Sequence, residues 1–373
     1  MSDTDKLVII GSSHHNTYSM IRCFGESGVQ PEVILYGKSD SFLLHSRFVK
    51  GCFVADNAED ALVMLKDNYK GAVVIACTDD IASLMDKEYD NLIQHFKFFN
   101  CGRNGRLTEY MKKTKQIAAA EQAGLRVPIT IEASSMDIDL SNIPYPCILR
   151  PLESIHGGKN IQVCYSKKDI PSALNAFDNN VKLLVQEFVF KDYEIVLVGL
   201  STAERIIIPA YIHKLRDTKG GTTYSLVKPI EDIPVSVVNS CKKLVAGMSY
   251  NGLFGIELMC KGDDYYFVEI NLRNDATTYA VNVAGCNLPL AFWKNCHGEN
   301  ADEIFTSSIR QIYSIVEFND FVSVLKCKVG IIKWFRECKA SECKYFYSSV
   351  DPEPYKIRRK EFVSFLMKRI FKF

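Results

Sequence analysis

Two apolar segments constrain this chain most, each carrying an acid within a strand-like run: Gly255-Ile256-Glu257, and Phe267-Val268-Glu269-Ile270-Asn271-Leu272-Arg273. Between them lies the polar turn Lys261-Gly262-Asp263-Asp264, which suits the junction of two antiparallel strands. Such a hairpin lets the carboxylates of Glu257 and Glu269 face each other. With the Asn271 amide they form a hard, all-oxygen set that suits Mg²⁺, or Mn²⁺, held against nucleotide phosphates rather than a soft metal. Arg273 adds a positive fork beside that set. An ordinary hairpin with two solvent-facing acids has the same local pattern, so the reading depends on the rest of the chain.

With 373 residues and 47% hydrophobic content, the chain can bury a large core divided among two or three domains. Its 13 cysteines contain no Cys-x-x-Cys pair, which argues against a zinc site and a thioredoxin-type centre and for reduced, mostly buried thiols. The start, Met1-Ser2-Asp3-Thr4-Asp5-Lys6, lacks the basic-then-apolar pattern of a signal peptide, and no apolar run approaches bilayer length. These features point to a cytoplasmic protein, and no nucleic-acid partner is expected. Charge is uneven. Residues 326–373 hold 13 Lys/Arg against 5 Asp/Glu, a basic appendage on an acidic body.

At the amino end, Leu7-Val8-Ile9-Ile10 leads into the small-residue turn Gly11-Ser12-Ser13 and a helix predicted over Tyr18–Gly28. Strand-like runs at Glu32–Tyr36 and Ala72–Ala76 alternate with helical patterns at Ala58–Asp67 and Ile81–Gln94, which predicts a parallel α/β domain over residues 1–100. The turn lacks a full glycine fingerprint, so a dinucleotide site there is weakly supported. His14 and His15 beside it have no further ligands at metal spacing and read as substrate contacts or solvated side chains.

A Lys- and Ala-rich helix over Thr108–Ala123 is stopped by Gly124 and Pro128. Next, the strand Pro146–Pro151 and the strand Asn160–Cys164 flank a glycine loop containing Gly157, Gly158 and Lys159, which could close over phosphates. Leu183–Phe190 and Glu194–Gly199 are strands with a hinge between them. The basic, glycine-containing stretch His213–Tyr224 reads as a mobile loop over the reacting groups, in which Lys214 or Arg216 could bind an acceptor carboxylate or a γ-phosphate.

Taken in order, these pieces over residues 100–295 resemble the ATP-grasp superfamily, most closely its carbamoyl-phosphate-synthase-like branch. The run Glu269-Ile-Asn271-Leu-Arg273, continuing to Ala284-Gly285-Cys286-Asn287-Leu288-Pro289, carries the likeness. The resemblance implies a Rossmann-like pre-ATP-grasp domain (1–100), a two-subdomain α+β ATP-grasp domain (101–300, glycine-loop subdomain about 126–190), and a carboxy-terminal extension (301–373). It implies magnesium on Glu257, Glu269 and Asn271, with Arg273 facing the transferred phosphoryl group. Lys113 matches the first phosphate lysine. Arg150 stands where the family has its second phosphate lysine, a departure that replaces a compact ammonium with a two-donor fork. Glu187, Val189, Phe190 and Glu194 are similar to the adenosine end, with Glu194 on ribose hydroxyls.

The activity implied is an ATP-dependent carboxylate–amine ligase acting through an acyl phosphate on small molecules. A phosphotransferase or carbonyl-phosphate-forming enzyme, and a nucleotide-binding protein without turnover, remain alternatives. Specificity would lie in the amino-terminal domain, the 214–224 stretch and Asn274–Tyr279, none of which names a substrate. In the tail, Phe362, Phe365, Leu366, Ile370 and Phe373 recur at helical spacing among Arg358, Arg359, Lys360, Lys368, Arg369 and Lys372. The segment 356–373 is therefore expected to pack on the acidic body, to meet a second subunit in a homodimer, or to make weak peripheral membrane contact.

Overall fold

The computed structural model describes residues 6–38, 41–134, 143–152, 161–177, 181–218 and 221–370. The amino-terminal part comprises β1 (Leu7–Gly11), α1 (His15–Gly25), β2 (Glu32–Tyr36), β3 (Gly51–Ala55), α2 (Ala58–Asn68), β4 (Val73–Ala76), α3 (Asp79–Lys87), α4 (Tyr89–Leu92) and β5 (Lys97–Phe98). Its five strands are all parallel, in the order β3-β2-β1-β4-β5. β1 and β4 are buried along their whole length, which is why they read as continuous apolar runs rather than alternating ones. The predicted α/β alternation is present, with several differences, among them the split of the predicted helix over Ile81–Gln94 into α3 and α4 and the unpredicted strand β5. The first helix begins at His15, because the His14 side chain caps it by accepting from Asn16 N at 3.2 Å. The edge strand β3 has no strong sequence signal, since its pattern is short and half exposed.

Two helices lead into the second part, α5 (Arg106–Tyr110) and α6 (Lys113–Gln122), where a single helix is predicted. Gly124, at φ +81°, ends α6 as expected, and Leu125 N reaches back to Ala120 O. A four-stranded antiparallel sheet follows, built from β6 (Thr130–Ser134), β7 (Cys147–Pro151), β8 (Gln162–Cys164) and, after α7 (Ile170–Leu174), β9 (Lys182–Glu187). The strand order is β6-β9-β7-β8 around a small core of its own. Gly157, Gly158 and Lys159 lie outside the described residues.

The largest sheet has seven strands, β14-β13-β10-β11-β12-β15-β16. Its elements are β10 (Tyr193–Ser201), β11 (Ile206–Thr218), β12 (Gly221–Pro229), α8 (Val235–Gly247), β13 (Gly252–Lys261), β14 (Asp264–Asn271), α9 (Thr278–Ala284), α10 (Leu288–Cys296), α11 (Asp302–Phe305), β15 (Ile312–Ile315), α12 (Glu317–Leu325), α13 (Ile331–Ala340), β16 (Cys343–Lys344) and α14 (Pro352–Ile370). Apart from residues 219 and 220, which lie outside the described residues, the predicted loop over 213–224 is instead the end of a long hairpin. Lys214 pairs with Ser225, and Arg216 with Tyr224. Residues after 300 do not stand apart either. β15 and β16 extend the large sheet, and Asp351, at the start of α14, is buried, accepting from Tyr18 Oη at 3.0 Å and Ser46 Oγ at 2.6 Å in the amino-terminal domain. All 13 cysteines are free thiols, most of them buried. Among the described residues no helix is long and apolar enough to cross a membrane.

Candidate active site

Gly262, at φ +55°, turns β13 into β14 with Lys261 opposite Asp264, so the expected hairpin forms. Its register puts Glu257 directly across from Glu269, and Gly255 across from Asn271. The two carboxylates remain reachable, their side chains 20% and 37% exposed. Gly255 matters here because a Cβ would lie 3.1 Å from the Cβ of Asp275, which closes over the hairpin. Asp275 Oδ2 accepts from Asn271 Nδ2 at 3.3 Å, while Oδ1 holds Thr277 N at 2.9 Å and Thr277 Oγ1 at 2.6 Å.

Cations converge on the acids from three separate elements. From the first residue of α6, Lys113 Nζ donates to Glu269 Oε2 at 2.5 Å. Lys214 Nζ, from β11, donates to Glu257 Oε2 at 2.6 Å and to Glu194 Oε2 at 3.1 Å. β10, which carries Glu194, lies between β11 and β13, so the sheet order itself places Lys214 near both acids. Lys191 also binds Glu194. The third element is β7, where Arg150 feels the field of Glu269 and keeps Nε buried without a hydrogen-bond partner among the described residues.

Ionisation follows this layout. Burial raises Glu257 above the ordinary carboxylate range, with Lys214 opposing and Glu269 adding to the rise. Burial acts on Glu269 too, but Lys113 outweighs it and holds the group low. Glu194 is likewise kept low, because Lys214 and Lys191 overcome its burial. Burial lowers both Lys113 and Arg150 despite the opposing pull of Glu269. Two carboxylates set this close are driven apart in proton affinity, as at many catalytic sites.

Arg273 lies beside Asn271, with Nη2 3.5 Å from Asn271 Oδ1. Its fork is turned to Asp79 at the start of α3, with Nε to Oδ1 at 2.7 Å and Nη2 to Oδ2 at 3.2 Å. Arg216 lies elsewhere. It forks onto buried Asp320 at 2.8 and 2.6 Å and reaches Glu337 at 2.9 Å, so its donors serve α12 and α13 instead of an acceptor or a γ-phosphate. Of the residues expected at the adenosine end, Glu187 Oε2 accepts from Ile129 N at 3.2 Å, Val189 is buried, and exposed Phe190 meets Phe188 edge-on at 5.1 Å between ring centres. His14 spends a ring nitrogen on capping α1, and His15 is packed against Tyr345 and Phe346.

Sequence reasoning missed Asp275 and Asp79. Asp275 is signalled only by being an acid four residues after Asn271; nothing near Asp79 marks it. A third omission is Gln116 on α6, which exchanges two hydrogen bonds with the backbone of Ile270 and so fixes β14. A cavity of about 710 Å³ lies at the turn between β10 and β11, lined by Thr202 and Lys243 among others.

Residues 118–288 match the model of the ATP-grasp domain. The chain carries an ATP-grasp domain. A formate-dependent phosphoribosylglycinamide formyltransferase of Wolinella succinogenes is 29% identical over 166 residues, covering 42% of each chain. The carbamoyl phosphate synthase large chain of Clostridium acetobutylicum is 23% identical over 227 residues, covering 58% of this chain and 21% of that one. Both matches span less than half of the relative. N5-carboxyaminoimidazole synthetase from Staphylococcus aureus shares the fold at a TM-score of 0.69 and 13% identity, over 87% of each chain. The fold of this chain thus recurs over most of its length in a solved structure.

The donor set of the ATP-grasp domain fits magnesium and nucleotide. Among the described residues no three His, Cys, Asp or Glu side chains form a self-sufficient metal cage. Two carboxylates and an amide instead suit an ion that completes its shell with phosphate oxygens and water. Arg150 Nε, buried without a hydrogen-bond partner among the described residues, is a donor suited to an anion.

Proposed function

We propose that this protein is an ATP-dependent ligase that activates a carboxylate as an acyl phosphate and joins it to an amine, releasing ADP and phosphate. The facing pair Glu257 and Glu269, ringed by Lys113, Arg150 and Lys214, carries this reading. The relative from Wolinella succinogenes is named for formate, itself a carboxylate, and for a glycinamide acceptor, which supports the pairing of an acid with a nitrogen nucleophile.

A substrate carboxylate oxygen attacks the terminal phosphorus while the bond to ADP breaks. The amine then attacks the acyl carbon, phosphate leaves with the C–O electron pair, and the nitrogen loses a proton. Glu257, Glu269 and Asn271 would hold Mg²⁺, which when bound supplies a positive field against the nucleotide phosphates. Lys113 and Arg150 bind phosphate oxygens, and Lys214 and Arg273 lower the repulsion between an anionic acceptor and the nucleotide. Val189 and Phe190 supply the apolar slot for adenine, with Glu187 at its polar edge and Glu194 on the ribose. Positioning and electrostatics together do most of the catalytic work.

Screening acids and amines for ADP release, with mass spectrometry of the product, tests this. ADP formation requiring both an acid and an amine is the expected result. Release without an amine would make the protein a phosphotransferase or carbonyl-phosphate former, and ATP binding without turnover would make it a nucleotide-binding protein only.

A further inference from the structure

Helix α13 touches the rest of the chain along one stripe, Trp334, Glu337 and Cys338, and turns the remainder outward. Ile331, Ile332 and Phe335 are 50%, 67% and 59% exposed, and Lys333, Arg336 and Lys339 stand exposed among them. The second half of α14 repeats the pattern. Phe362 turns in, against Phe318 and Phe321, whereas Val363, Phe365 and Met367 are about half exposed beside Arg359, Lys360 and Lys368.

A run of aromatic contacts links the two helices. Phe335 meets Trp334 at 5.2 Å, Trp334 meets Phe321 at 4.9 Å, Phe321 meets Phe362 at 5.5 Å, and Phe362 meets Phe365 at 6.2 Å between ring centres. Three neighbouring acids are already engaged: Glu337 by Arg216, Glu361 by Arg358, and Asp351 in the core. Lys333 also reaches Glu337 at 3.8 Å, whereas Arg336, Lys339, Arg359, Lys360 and Lys368 have no ion pair among the described residues, so the surface combines exposed apolar side chains with surplus positive charge.

We propose that α13 and the second half of α14 form a docking surface for an anionic lipid bilayer. Exposed apolar groups interspersed with Lys and Arg match the boundary between acyl chains and anionic headgroups, where both kinds of side chain are satisfied at once. Charge also fixes the orientation. Residues 1–325 carry an excess of acid, so an anionic surface repels the body and attracts only this end.

Co-sedimentation of the full chain with vesicles of phosphatidylcholine, with and without phosphatidylserine, tests the proposal. Binding is expected only to the phosphatidylserine vesicles, weakening as salt rises. Both the pair Ile332→Ser with Phe335→Ser and the triple Lys333→Glu, Arg336→Glu, Lys339→Glu should lower the bound fraction roughly tenfold, with unchanged melting temperature. Equal sedimentation with both vesicle types, or binding unaltered in well-folded variants, would overturn it. Light scattering that shows a dimer dissolved by the same substitutions would assign the face to a second copy and overturn it as well.

Discussion

Lys214 Nζ lies 2.6 Å from Glu257 Oε2, and the same ammonium group reaches Glu194 Oε2 at 3.1 Å. One cation thus holds the acid expected to face the metal and the acid expected to face the ribose. Removing it leaves two carboxylates in a half-buried cleft with less reason to stay ionised. Lys214→Ala should lower ADP formation by about 100-fold, and Lys214→Arg by less, because a charge remains. Steady-state ADP release at saturating ATP checks this, and an unchanged rate in the alanine variant would remove Lys214 from the site.

The facing acids give a second prediction. Glu269→Gln and Asn271→Ala should each reduce turnover by at least about 100-fold, while the β13–β14 hairpin persists because its backbone pairing does not use those side chains. Turnover and circular dichroism measured together separate loss of chemistry from loss of fold.

Arg150 distinguishes this site from one with a lysine in that place. Arg150→Ala should raise the ATP concentration needed for half-maximal activity by roughly tenfold or more, the scale of a charged hydrogen bond. Arg150→Lys should fall between it and the parent. ATP binding by calorimetry reads this directly, and unchanged affinity in the alanine variant would mean that the half-buried guanidinium does not meet phosphate.

His15 sets a pH dependence. Burial, then the positive field of His14 and Arg358, holds its ring neutral well below the ordinary value, 6.5. The unfolded chain protonates this residue first, so stability present above pH 6.5 is lost as pH falls towards the lower folded value. Each pH unit in that interval costs up to about 1.4 kcal/mol. Thermal melts between about pH 7 and pH 5 should show the decline, with a shallower slope in His15→Asn. Identical slopes would place the titration elsewhere.

The facing acids were legible because a hairpin is a local object: the turn, the alternating burial and both carboxylates lie within 15 residues. The partner of Arg273 was not, since Asp79 is 194 residues away and no spacing rule joins them. Composition misled over 213–224, where charges and glycines suggested a loop. There, pairing with β10 and β12 on either side overrides local preference and makes Lys214 a fixed strand residue. Arg216 shows the same limit. A basic side chain near an anion site reads as functional until its acids, contributed by α12 and α13, are in view.

The fork between Arg273 and Asp79 has a consequence for anyone recombining such proteins. Arg273, just beyond the end of β14, is anchored on the amino-terminal part, so the two parts are not interchangeable modules. A chimera that takes residues 1–100 from another chain would leave the guanidinium without its carboxylate unless an acid is grafted at the start of α3. The boundary that looks clean in sequence is therefore a poor place to cut.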